Sequence, residues 1–485
     1  AQNLISASEN TNGMTSLEKD ELAFYSREYS YEIKQVRRER IPASLSYLGS
    51  AGNDRFRFFS YSDSAFAFFA DPVLAYDISM RSGEKVVKRS NGAKAYGYFN
   101  GLGFSLDIRD NVENGSFIDT SRSFTAGTGF NFKSKRKNYI NYDDVCAALT
   151  YSWNWGNISV AKDYMNWGSG MAGQIILSDK APSFPMLRLN IHPFPWMDFT
   201  YIHGYLNSGV MDSSTLRINT NPKRLHYELI EKFYVAHMLT LKPFRNLALS
   251  IGESVVYSDR FEPVYLIPFI FFRMADHYLN YSNATAGNAQ IFGDISWKVP
   301  VLRSKFYSSL FIDEFSFENL TGDKYPSAVA YTFGWQAVNP LINDCELNIE
   351  YTRINPFVYF HADDAQGYSN YNYQMGHWIG SNGDQLHVSF TKYIMRGLKA
   401  GVWAEFVRKG EKESRKEARY QKYQTFLFGL RTNYTWFGFD ASCEIIHSLT
   451  ARVSYRSASV SREQNDGSFI PVKTSDFVFG VGYGL

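Results

Sequence analysis

The chain has 485 residues, 45% hydrophobic and 17% aromatic, with a mean hydropathy of −0.30 and a formal net charge of +2. So small a net charge excludes a global field for nucleic acid or an acidic partner, and 39 Phe, 34 Tyr and 9 Trp are more rings than a soluble core built mainly of aliphatics uses. No run reaches the ~18 apolar residues of a transmembrane helix; the longest, Val264 to Phe272, is about half that and contains Pro268.

A chain of this composition that spans a membrane must do so as a closed barrel, which satisfies every backbone polar group by strand pairing. Cys146, Cys345 and Cys443 lie far apart without a CxxC pair, which argues against a zinc site or a disulfide framework. The start at Ala1-Gln2, without Met, basic or apolar leader, is the expectation for an exported protein whose signal has been removed.

In chain order, residues 1–62 read as an N-terminal helical segment on the periplasmic side, and 63–485 as the barrel. Thr15-Ser-Leu-Glu18 is a capping box. Leu22, Tyr25, Tyr29, Ile33 and Val36 then recur at the three- and four-residue steps of one helix face. Glu18, Asp20 and Glu21 precede Arg37, Arg38 and Arg40, the order that complements a helix dipole, and Pro42 ends the pattern. One or two helices are expected.

Beyond about residue 64 the period is two. Segments begin near 66, 94, 124, 146, 186, 197, 232, 247, 264, 289, 305, 330, 385 and 398. Four more are clearest around Leu347–Tyr351, Phe426–Trp436, Cys443–Tyr455 and Phe477–Leu485. In the last, Phe477, Phe479, Val481, Tyr483 and Leu485 face one way and Gly480, Gly482 and Gly484 the other. The fold class is therefore all-β, a transmembrane antiparallel β-barrel of roughly 18 strands, an even number as such barrels require. Rings at strand ends, Tyr151-Trp153-Trp155 and Tyr434-Trp436, suit aromatic girdles at the membrane interfaces. Short turns at 242–246 and 395–397 contrast with long polar stretches at 207–228, 353–384, 408–424 and 457–473, expected as outer loops.

No nucleophile elbow, HExxH helix, P-loop or GxGxxG turn is present. Asp313-Glu314 is a neighbouring pair in a strand, so its carboxylates point to opposite faces; Asp363-Asp364 reads as loop solvation. The chain is expected to be non-enzymatic and to need no cofactor. Residues 361–385 interleave Tyr368, Tyr371, Tyr373 and Trp378 with Asn370, Asn372, Gln374, His377, Asn382, Asp384 and Gln385. Flat rings beside amides and carboxylates suit the C–H faces and hydroxyls of sugars. The same set also suits a loop folded into the lumen and bonded to the barrel wall. The candidate polysaccharide-binding residues are Tyr368, Tyr371, Asn372, Gln374, His377, Trp378, Asn382 and Asp384, with Arg408, Lys409 and Arg415 for acidic sugars or lipopolysaccharide.

Four segments resemble the capsule assembly Wzi family of outer-membrane proteins. They are Val160–Gly170, with Trp167, Gly168 and Gly170 as a WGxG turn, followed by Leu177–Pro182; Ile251–Tyr257, with Glu253, leading into Pro263–Pro268; Glu350–Tyr359, with Arg353, Asn355 and Pro356; and Met375–Gln385, with Gly380 and Gln385. Ser381-Asn382-Gly383 departs from the Pro-containing form expected there. The matches run in the family's order between about 145 and 400; the first 140 and last 60 residues match in pattern only. The resemblance implies a barrel with periplasmic N-terminal helices that acts as a lectin tethering capsular polysaccharide to a Gram-negative cell surface. Expected partners are outer-membrane lipid and lipopolysaccharide, surface polysaccharide and other outer-membrane proteins, and no nucleic acid. The alternatives are an outer-membrane channel and a structural subunit of a larger assembly.

Overall fold

The computed structural model describes residues 2–9, 11–50, 54–220, 223–275, 287–314, 328–412 and 425–484. Three short helices open the chain, α1 (Gln2–Glu9), α2 (Ser16–Glu28) and α3 (Ser30–Val36). The capping box forms as expected: the Glu18 N–H donates to the Thr15 hydroxyl at 3.2 Å, and the Thr15 N–H donates to the Glu18 carboxylate at 2.7 Å. The periodic face over 22–36 is shared by two helices, because the chain breaks at Tyr29 (φ −105°, ψ 29°). The first 62 residues are only partly helical. Strands β1 (Ser44–Gly49) and β2 (Arg57–Ser62) form a hairpin that pairs with the start of the barrel.

The barrel strands are β3 (Phe66–Arg81), β4 (Glu84–Phe99), β5 (Leu102–Gly115), β6 (Tyr139–Trp153), β7 (Gly156–Asp163) and β8 (Phe184–Phe194). Next come β9 (Met197–Met211), β10 (Leu229–Phe244), β11 (Leu247–Ser258), β12 (Asn288–Val299), β13 (Ser304–Glu314) and β14 (Ala328–Val338). The last six are β15 (Cys345–Ile354), β16 (Gly383–Met395), β17 (Leu398–Lys409), β18 (Thr432–Ile446), β19 (Leu449–Glu463) and β20 (Phe469–Tyr483). Each pairs antiparallel with the next, and β20 returns to β3 (Asp476 opposite Arg81, Tyr483 opposite Leu74), which closes an 18-stranded barrel.

Closure explains the dyad pattern. Outward positions form an apolar belt on all sides, including Val160 (67% exposed), Ile251 (62%), Phe333 (56%), Val402 (55%) and Phe479 (43%). An exterior this apolar loses nothing when water is replaced by hydrocarbon. At the short-turn end, Tyr151, Trp153 and Trp155 form a ring cluster and Trp196 stacks on Phe194 at 5.3 Å, as a girdle requires. Tyr434 and Trp436 do not join it. Their strand partners Val407 and Glu405 are buried inside the wall, so both rings face the lumen, where Trp436 stacks on Trp378 at 5.8 Å.

Two expected strands are something else. Residues around 124 form a loop, whereas β5 and β7, absent from the expected segments, are in the wall. Residues 259–275 run down the outside of the barrel as a strap over β9, β10 and β11. Pro263 and Pro268 lack the N–H a ladder needs. Tyr265 and Phe272 bury the outward rings Tyr201, Phe233 and Tyr257. Beneath the strap, outward-facing Glu253 accepts the Phe272 N–H at 2.6 Å and lies 3.2 Å from His237, whose Nδ1 meets the Pro268 carbonyl at 2.9 Å. The 457–473 stretch is also not a long loop: β19 and β20 fill all but residues 464–468.

The helices lie across the short-turn end. Phe24 stacks on His447 at 3.6 Å, and the Gly397 N–H donates to Glu21 at 2.9 Å. Arg55 bridges Glu28 (2.7 Å) and Asp71 (2.8 Å), joining α2 to β3.

Candidate functional site

Two inward-folded segments, 164–183 and 355–382, form a plug in the lumen around a core that includes Trp167, Ile175, Ile176, Tyr359, Tyr368, Met375, Trp378 and Ile379. Their backbone N–H groups need acceptors once buried. The barrel wall supplies carboxylates. Glu350, 1% exposed, accepts from Met171 N (2.6 Å), Ala172 N (3.1 Å) and the Tyr307 hydroxyl (2.7 Å). Asp294 accepts from Ser169 N (2.8 Å) and its hydroxyl (2.7 Å), and Asp313 accepts from the Tyr359 N–H. Such charge-assisted bonds are shorter and stronger than neutral ones. In the WGxG turn, Gly168 has φ +113°, and a Cβ on Gly170 would sit 2.1 Å from the Gly173 carbonyl oxygen, so neither position admits a side chain without strain.

Most of the candidate sugar-binding residues belong to this plug, the lumen-folded loop that the same residues also suited. Tyr368 is fully buried, and its hydroxyl donates to the Ile176 carbonyl at 2.7 Å. Trp378 donates to the Ala172 carbonyl at 2.9 Å and packs on Phe124 and Trp436. Asn382, at φ +54°, ties the Leu427 N–H (2.7 Å) and the Glu411 carbonyl (2.9 Å) to the loop end. His377 is fully buried; its Nδ1 accepts the Ile379 N–H at 3.3 Å, Nε2 has no partner among the described residues, and burial pushes its pKa down to about 3. Asp384 is buried under Arg408 and the Tyr351 hydroxyl. The first four cannot meet a ligand arriving from solvent without the plug moving, and Asp384, on the outer face of β16, is covered by Arg408.

The rest divide. Gln374 is half-buried and Asn372 exposed, while Tyr371, at φ +54°, points into a side cleft. Arg408 is exposed on the outer rim, Lys409 donates to the Ser381 carbonyl, and Arg415 lies outside the described residues. The remaining motif positions are structural. Trp167 bridges to Leu177, Arg353 lies over Phe426 (3.8 Å) and bonds Asn355, Pro356 is buried, Gly380 turns the chain at φ +65°, and Gln385 donates to Glu405 inside the wall.

The side cleft has a volume of about 1030 Å³ between the inner faces of β4–β7 and the loops at 122–133 and 179–183. Its lining is polar and ringed: Lys88, Arg109, Asn111, Asp107, Asp144 and Lys162 beside Phe130, Phe132, Tyr142, Tyr164 and Tyr371. This size is at the upper end of the ~300–1,000 Å³ typical of small-molecule sites. Phe130 stacks on Tyr142 at 4.2 Å, with Arg122 4.5 Å above the Phe130 ring. Lys180 fixes the facing loop: it is 3% exposed, and its ammonium donates to the Arg122 and Gly127 (2.8 Å) carbonyls. Burial, with Arg122 nearby, pushes its pKa down to about 8. Nearer the short-turn end, Tyr96 on β4 and Phe69 on the neighbouring β3 pack together, Phe69 against Tyr31 of α3 and the Tyr96 hydroxyl accepting from Arg57. Of the cleft residues, sequence reading singled out only Tyr371 as a sugar contact, while Lys162, Tyr164 and Pro182 lie in the family-like segments Val160–Gly170 and Leu177–Pro182.

A family model described as capsule assembly protein Wzi matches residues 49–466. Among solved structures, the chain is similar to Wzi of Escherichia coli, described as an outer membrane protein involved in group 1 capsule assembly and a carbohydrate-binding β-barrel. The two are 12% identical over 86% of this chain and 85% of that one, with a TM-score of 0.54, a likeness of fold. OpdK of Pseudomonas aeruginosa (10% identity, 85% and 97% covered, TM-score 0.46) and OccAB2 of Acinetobacter baumannii (10%, 86% and 98%, 0.47) are also similar. No curated protein sequence matches the chain.

Proposed function

This chain belongs to the capsule assembly protein Wzi family, and from that premise we propose that it holds surface polysaccharide at the loop end of an outer-membrane barrel, without a catalytic step. The observation that carries the reading is the lumen's division into an apolar plug bonded to the wall and a polar, aromatic-lined cleft beside it. A plug held by carboxylates to the wall suits a barrel that retains a chain. The cleft offers ring faces for sugar C–H groups and amides and charges for hydroxyls and acidic substituents. In this reading the helix-covered end is periplasmic and the loops face outward.

Retention of the purified barrel on immobilised capsule from its own host tests this, alongside conductance in planar bilayers. Strong retention that falls at least tenfold in Tyr371→Ala, with little current, is the expected result. Steady channels with no glycan retention would replace the reading with a solute channel.

A further inference from the structure

We infer that the outer face of the barrel, from β15 round through β20 to β4, carries a docking arc for phosphorylated glycolipid headgroups of the outer leaflet. Strand register places the relevant side chains on the outside of the wall. Reading toward the loop end, outward positions on β15 are Ile349, Tyr351 and Arg353, and on β17 Ala404, Phe406 and Arg408. An apolar belt thus passes directly into guanidinium groups. Arg431, at the mouth of β18, Lys473 on β20 and Arg89 on β4 continue the row.

The pairing within the arc is asymmetric. Arg408 is 56% exposed while its partner Asp384 is 5% exposed, and Arg431 is 43% exposed against 15% for Glu463. Each carboxylate is held against the wall and takes the Nε and Nη2 donors of its arginine, leaving the remaining guanidinium N–H groups facing away from it. The carboxylates therefore act as templates that orient arginines for a second anion. Five cations against two shielded carboxylates leave the arc positive where the hydrocarbon belt ends, which is where lipid phosphates lie. Among the described residues across the barrel, the strap and the outward Glu231 and Glu262 present no such row.

The test uses the full-length protein in neutral detergent, titrated with bis-phosphorylated lipid A and with the same lipid lacking phosphates, bound lipid being read by native mass spectrometry. The triple variant Arg353→Gln/Arg408→Gln/Arg431→Gln and the separate pair Arg89→Gln/Lys473→Gln are compared with Arg452→Gln/Arg456→Gln, which removes two charges facing the lumen. Heat-modifiable migration on gels reports folding for each. For the triple variant, binding should weaken by about a hundredfold, as three interfacial cations imply. Removing the phosphates should cost as much, and the lumen pair should change little. Equal loss in the lumen pair, or equal binding of the dephosphorylated lipid, would overturn the assignment. So would full competition by inorganic phosphate, which would make this a free-anion site. Because glycan retention is read separately, failure here leaves the capsule reading untouched.

Discussion

Replacing Glu350 with alanine asks directly whether wall carboxylates hold the plug. The substitution strands three donors, the part-buried N–H groups of Met171 and Ala172 and the buried Tyr307 hydroxyl. A hydrogen bond to a charged group is worth roughly 1.5–3 kcal/mol; with neighbours relaxing and water entering, about 4 kcal/mol for the set is a reasonable sum. Local opening of 169–173 should then become about a thousandfold more frequent, read as faster amide exchange at Met171 and Ala172. Glu350→Gln keeps one acceptor oxygen without the charge and should raise exchange only about tenfold. Ladder amides in the barrel wall should be unchanged in both variants, and bilayer current should rise in the alanine form first. Exchange at Met171 and Ala172 within about threefold of the parent in Glu350→Ala would refute the carboxylate-clamp argument.

Acid should loosen the plug through His377. Its pKa is depressed from the ordinary 6.5 to about 3, so across that window the opened state takes up a proton that the closed state refuses. Stability is therefore present above about pH 6.5 and lost as pH falls, by about 1.4 kcal/mol per unit. Protection at Met375 and Ile379, with the intrinsic pH dependence of amide exchange divided out, should fall between pH 7 and 4.5, and should fall much less in His377→Asn, which keeps an acceptor for the Ile379 N–H. Lys180→Met should free the loop at 122–129, shown by faster exchange at Gly129, whose N–H donates to the Lys180 carbonyl (2.7 Å), and by weaker glycan retention. Unchanged retention with a freed loop would remove that loop from the site. Glu253→Ala should release the strap, so that trypsin cuts after Arg273 many times faster while heat-modifiable migration persists. A cleavage rate equal to the parent's would mean that rings alone hold it.

The barrel was legible because closure imposes one rule, apolar out and polar or plug-packed in, on every strand. Where that rule was shared by other structures, the reading slipped. Val264 to Phe272 has the hydrophobicity of a lipid-facing strand because it, too, touches the outer wall on one side and is exposed on the other. Only Pro263 and Pro268 distinguish it. The stretch 443–455 reads as one alternating segment, yet the chain reverses at His447-Ser448, because a two-residue turn hardly interrupts period two. For Tyr434 and Trp436, rings alone could not decide the face; the plug made the inside apolar there. The carboxylate clamps were illegible for another reason. Glu350 meets amides 178 and 179 residues away in sequence, a spacing without local signature.

That last point bears on where recognition resides. Three of the four segments that carry the family resemblance, the WGxG turn with Leu177–Pro182, Glu350–Tyr359 and Met375–Gln385, converge inside the lumen and bond to one another, while the fourth, Ile251–Tyr257 with Pro263–Pro268, lies in β11 and the outer strap. Trp378 donates to Ala172, Tyr359 to Ile175 (2.6 Å), Ser178 to Gly376 (2.6 Å), and Met171 to Glu350. Such residues are fixed by mutual packing, since a change in one leaves a buried partner unsatisfied. They specify how the barrel is closed, and the chemistry of a ligand can change without touching them. The lining of the cleft is constrained differently. Phe132 and Asn131 are exposed, and Tyr371 is anchored by its backbone N–H to Asn207 at 3.0 Å while its ring stays half-buried in the cleft. The motifs in the lumen thus report the plug, and the glycan contacts proposed above are to be sought in cleft side chains such as Phe132 and Tyr371.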